Sequence, residues 1–91
     1  MKRRAKALPL GVAFVAIGER SFAIALGSVV EFTHRGMQGM CRGSVIGLRS
    51  LVSGAVSVRL LLTHWNDGSG WKRNSGSHAI WAGTKVITKV L

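Results

Sequence analysis

The chain has 91 residues, 47% of them hydrophobic and 18% charged, and a formal net charge of +10. That length holds one domain with a modest core, and the apolar fraction excludes a disordered basic tail, which would be apolar-poor. With only three acids (Glu19, Glu31, Asp67) and one cysteine, Cys41, the chain has no internal disulfide framework and no cysteine-rich zinc module, and a catalytic carboxylate pair would need distant segments to converge.

The chain opens on Lys2, Arg3, Arg4 and Lys6, followed by an apolar run over residues 7–17. This order matches a secretory signal, and Ala23-Ile-Ala25 offers a small-x-small cleavage pattern. A membrane span needs about twenty apolar residues. Residues 7–30 reach that length only with Glu19 and Arg20 near the bilayer centre, at about 2.5–3.5 kcal/mol each. The favoured expectation is therefore a soluble domain in which residues 1–26 form a basic arm plus an apolar N-terminal segment. Within it, the apolar residues read as core strands, residues 10–17 and 22–26 around a Gly18-Glu19-Arg20 turn, or as a short helix behind the arm.

From Gly27 onward the periodicity favours strands. Residues 28–34 alternate, with Val30 and Phe32 facing one way and Glu31 and Thr33 the other. Ser44-Val-Ile-Gly-Leu48 reads as a short strand bounded by Gly43 and Ser50. Residues 55–63 form the clearest strand, preceded by a Ser53-Gly54 turn. Val56, Val58, Leu60 and Leu62 share one face; Ser57, Arg59, Leu61 and Thr63 share the other. Residues 66–77 are polar and rich in Gly and Ser, and read as one long loop, functional or mobile. Ala79-Ile-Trp81 and residues 85–91 read as the last strands, on either side of Gly83. The expected core is Val30, Phe32, Val45, Val56, Val58, Leu60, Leu62, Ile80 and Val86. Several short strands punctuated by twelve glycines suggest a small barrel or sandwich.

This series is a Gly-led strand (Gly27-Ser-Val-Val-Glu-Phe32), a Gly-rich turn (Arg35-Gly-Met-Gln-Gly39) and a strand opening Arg42-Gly-Ser-Val-Ile-Gly47. A long strand, a loop with Asp-Gly and Trp, and a closing Val/Ile strand follow. It resembles the five-stranded SH3-like small barrel of KOW and Tudor-type modules; OB-like barrels produce similar strings. Gly43-Ser-Val45 matches the G-x-V element of that family, and Gly39 would be the loop glycine, one residue further from Gly43 than the KOW spacing. The resemblance covers residues 27–91 and implies an all-β, SH3-like five-stranded barrel carrying residues 1–26 as an N-terminal extension. It implies binding in the loops and on one exposed sheet face, without naming the ligand.

His34, His64, His78 and Cys41 come from four segments without zinc-finger spacing, so they read as ordinary histidines and a buried small hydrophobe. Cys41 with His34 or His64 and Asp67 carries no local signature of a nucleophile with its base. The glycine-dense residues 36–43 lack the Lys-Ser/Thr ending of a phosphate loop. Met37 and Met40 read as core packing or as cover for a barrel end. Neither enzymatic activity nor a cofactor is expected.

The charge points to a partner. Beyond the arm, Arg20, Arg35, Arg42, Arg49, Arg59, Lys72, Arg73, Lys85 and Lys89 still outnumber the acids. An excess of this kind favours polyanions, nucleic acid first (RNA or DNA) and an anionic membrane second. The expected binding residues are Lys2, Arg3, Arg4 and Lys6 of the arm, then Arg35, Arg42, Arg49, Arg59, Lys72 and Arg73 for phosphates. Trp71, set beside Lys72 and Arg73, would stack on unpaired bases. Trp81, between Ile80 and Ala82, reads as core, and Trp65 lies at a strand end between core and surface. The expected location is the cytoplasm or a virion, with secretion as the lesser alternative. The competing expectation is a viral or phage structural or accessory protein. It would use the barrel and residues 8–30 for contacts with a partner or with a second copy.

Overall fold

The computed structural model describes residues 8–37 and 39–91. The arm residues Lys2, Arg3, Arg4 and Lys6 lie outside the described residues. The described chain is all-β. Its strands are β1 (Leu8–Pro9), β2 (Val12–Ile17), β3 (Arg20–Ala25), β4 (Val29–Phe32) and β5 (Met40–Ser50), then β6 (Val56–Asn66), β7 (Trp71–Arg73), β8 (Ala79–Gly83) and β9 (Ile87–Val90). A single 3-10 turn, Thr84–Val86, joins β8 to β9. Among the described residues, no helix is long and apolar enough to cross a membrane.

The main sheet runs β7-β6-β5-β4-β9 and curls into a half-barrel, with every pairing antiparallel. β8 continues along the edge of β6 that β7 begins, pairing with residues 57–61 while β7 pairs with residues 64–66. Between them, the Leu62 N–H donates to the His78 carbonyl and the Asn74 N–H to the Thr63 carbonyl. The expected loop over residues 66–77 is thus corrected: β7 lies inside it. Three residues carry too little periodicity to show a strand, and the pairing is imposed by β6 extending to Asn66.

The short strand expected over residues 44–48 is also corrected, because β5 runs from Met40 to Ser50. Glycine usually weakens a strand and so reads as its boundary. Here Gly43 and Gly47 sit inside β5 beside register shifts, one between Arg42 and Gly43 and one between Val45 and Gly47. These bulges bend the long β5–β6 ribbon and help the sheet to curl.

One core fills the curl. Val30, Phe32, Cys41, Val45, Leu48, Val58, Leu60, Leu62 and Ile87 are buried there. Six of the nine expected core residues are among them; Val56, Ile80 and Val86 are half-buried and packed against it. β2 and β3 form a separate two-stranded sheet around a turn at Gly18-Glu19. Its alternation sends Ala13, Val15 and Ile24 into the same core and leaves Val12 and Phe14 exposed.

Candidate nucleic-acid interface

Register builds a row across the outer face of the sheet. Lys89 of β9 lies opposite Glu31 of β4, Glu31 opposite Arg42 of β5, Arg42 opposite His64 of β6, and His64 opposite Arg73 of β7. Directly opposed residues share a face, with Cβ atoms about 4.5–5.5 Å apart. Arg42 Nη2 donates to Glu31 Oε2 at 3.0 Å, so the one acid of the row is already neutralised. The Arg42 guanidinium carbon lies 4.2 Å from the ring centroid of Trp71. Trp71 stands two residues from Arg73 on the same face of β7, and keeps 37% of its surface exposed.

A second cluster occupies the other end of the ribbon. Gly47, Arg59 and Trp81 lie opposite one another across β5, β6 and β8. The Arg49 guanidinium carbon is 3.9 Å from the Trp81 ring centroid. A Cβ on Gly47 would stand 3.2 Å from Cη2 of the indole and 3.1 Å from the Arg59 Cβ. The missing side chain therefore lets the Trp81 ring lie across the sheet. Trp81 is 42% exposed, which corrects the expectation that it belongs to the core. The signal was present in the sequence: Ile80 faces inward, and period-2 alternation must then turn Trp81 outward.

Both stacked arginines are partly desolvated. The Nε atoms of Arg42 and Arg49 are buried and have no hydrogen-bond partner among the described residues. Burying such a donor costs about 1–3 kcal/mol, and contact with the indole face offsets part of this. The donors on the two Nη atoms of each guanidinium remain for an incoming acceptor, apart from the one that Arg42 gives to Glu31.

The Trp71-Lys72-Arg73 run does not act as a unit. Lys72 points to the opposite face, where it lies over Trp65 with Nζ 4.9 Å from the ring centroid. Its Nζ is also 3.7 Å from Asp67 Oδ2. Hydrogen bonds from Ser69, more than the charge of Lys72, hold the Asp67 carboxyl below its usual range. The preceding turn is tied by its own side chains. Asn66 Oδ1 accepts from the N–H groups of Gly68 and Gly70, and Asp67 Oδ1 accepts from Ser69 N–H and Oγ–H. That turn sets where Trp71 enters β7. Arg35 stands exposed in the turn after β4, and among the described residues no ion pair or stacking contact joins it to either cluster.

Beside the row, a groove of about 520 Å³ opens between β6 and the β7–β8 connection, lined by Thr63, His64, Arg73 and Asn74 among others. Asn74 Nδ2 donates to the carbonyls of Leu62 and Gly76 and so shapes its wall. Cys41 lies in the core, and burial pushes its thiol pKa up. The His34 and His78 rings are 6.4 Å apart. Comparison with known protein families, with curated proteins and with solved structures finds no match.

Proposed function

We propose that the chain is a small, non-enzymatic nucleic-acid-binding module built on an SH3-like barrel and working in the cytoplasm or within a virion. The barrel reading is supported by strand order: β4, β5, β6 and β8 follow as neighbours, a 3-10 turn intervenes, and β9 returns to pair with β4. The observation that carries the function is the pair of exposed indoles, each under an arginine, on one face of a chain of net charge +10. Arg42, Arg49, Arg59 and Arg73 contact phosphates from that face, and the arm of Lys2, Arg3, Arg4 and Lys6 adds affinity without sequence preference. No helix on this surface is built for the major groove, so recognition is mainly electrostatic, aided by stacking.

The test is the salt dependence of oligonucleotide binding. Each neutralised phosphate contributes about 0.9 to the log–log slope on duplex and about 0.7 on single strands. Five or six contacts give a slope of about −4 to −5. Arg59→Ala and Arg73→Ala should each reduce its magnitude by about 0.7–0.9 for all sequences alike. Affinity indifferent to salt, or no binding at low salt, would overturn the proposal.

A second reading is favoured by one observation. Val12 is 50% exposed, Phe14 67% and Leu26 62%, an apolar surface on the N-terminal hairpin. It suits protein contacts of a structural or accessory component, with a partner or with a second copy.

A further inference from the structure

We infer that this face takes an unpaired strand at two stacking stations, Trp71 at one end of the β5–β6 ribbon and Trp81 at the other. The inference rests on the nucleic-acid reading and adds to it the form of the ligand and a minimum length. Trp71 lies opposite Asn66, which lies opposite Met40; Trp81 lies opposite Arg59, which lies opposite Gly47. Along β5 the two stations are therefore separated by the stretch from Met40 to Gly47, about 23 Å at a rise of ~3.3 Å per residue. The bulges and the curl shorten that path in space, so it is an upper bound.

Each station is a planar pair of indole and guanidinium, and bases stack on either kind of plane. Both indoles stay more than one-third exposed although an arginine already lies on each. At the Trp81 station, Gly47 removes the side chain that would tilt the ring, and Arg59 stands directly opposite on β6. Among the described residues, neither Arg49 nor Arg59 is ion-paired. A flat exposed ring with two uncompensated cations beside it matches a nucleotide, an aromatic base joined to a phosphate. A duplex hides its base faces and cannot use either ring. A single strand long enough to reach both rings gains from each, because the second contact becomes intramolecular once the first has formed.

The experiment titrates the full chain with oligothymidines of three and twelve nucleotides and with a twelve-pair duplex at low salt, following tryptophan fluorescence. The longer oligomer offers about tenfold more placements for a single station. Two stations predict a preference for it of about 50-fold or more. Trp81→Ala should reduce that preference to about tenfold and weaken the long oligomer roughly 5- to 100-fold, Trp71→Ala likewise, and Trp81→Phe should restore most of it. A preference of tenfold or less in the unaltered protein, or equal binding by Trp81→Ala, overturns the two-station site. Salt-dependent binding in that case leaves the nucleic-acid reading standing. Failure to bind any of the three ligands overturns both and turns the tryptophan–arginine face toward a protein partner.

Discussion

Gly43 and Gly47 differ in what their missing side chains permit. A Cβ on Gly43 would run into the Leu61 carbonyl oxygen and meet Phe32 Cε1 at 3.1 Å. The obstacle is backbone, held in place by the β5–β6 ladder, and it cannot give. Gly43→Ala should therefore destabilise the fold by about 1–3 kcal/mol, read as a lower urea midpoint. Around Gly47 the nearest atoms are the Arg59 Cβ at 3.1 Å, a tight cross-strand contact short of a clash, and the end of the Trp81 indole at 3.2 Å, which can move. Gly47→Ala should change stability little and shift the tryptophan emission as the indole is displaced. A larger loss at Gly47 than at Gly43 would contradict this account. In the sequence Gly43 stands out only for its place in a G-x-V pattern; the reason for it is the carbonyl that faces it.

The β5–β6 ribbon is the element on which the rest is assembled. Val58 and Leu60 are fully buried on its inner face, while Arg59 and Leu61 look outward or toward the sheet surface. Leu60→Ala should cost about 2–5 kcal/mol, measured by denaturant unfolding. A loss below about 0.5 kcal/mol at both Leu60 and Val58 would mean a register shifted by one, since a one-residue slip exchanges the faces. This alternation in β6 is legible in the sequence because the inward positions Val58, Leu60 and Leu62 all carry Val or Leu. β5 is not, since two glycines interrupt its pattern and a bulge inserts Ile46, 41% exposed. β7 is hidden for a different reason: its pairing belongs to β6, and its own residues have a turn-like setting.

At the scale of the molecule, the outer face of the main sheet carries Arg42, Arg49, Arg59 and Arg73 with Trp71 and Trp81. The hairpin turns Val12 and Phe14 to solvent while Ala13, Val15 and Ile24 anchor it in the core. If the hairpin joins copies, sedimentation should show a dimer at micromolar concentration, and Phe14→Glu should convert it to a monomer with unchanged unfolding. A monomer before substitution removes self-association through the hairpin and leaves a different protein as the partner for that surface.

Composition, net charge and the alternation of β6 are properties of residues one at a time or of near neighbours. They were enough to indicate an all-β chain and most of its core. The row of Lys89, Glu31, Arg42, His64 and Arg73, and the seating of Trp81 over Gly47, join residues far apart in the chain. Their meeting depends on cross-strand register, and two bulges in the β5–β6 ladder, one at Thr63 of β6 and one at Ile46 of β5, shift that register. A bulge is set by local backbone packing against a partner strand, so the site came into being only when the strands were paired.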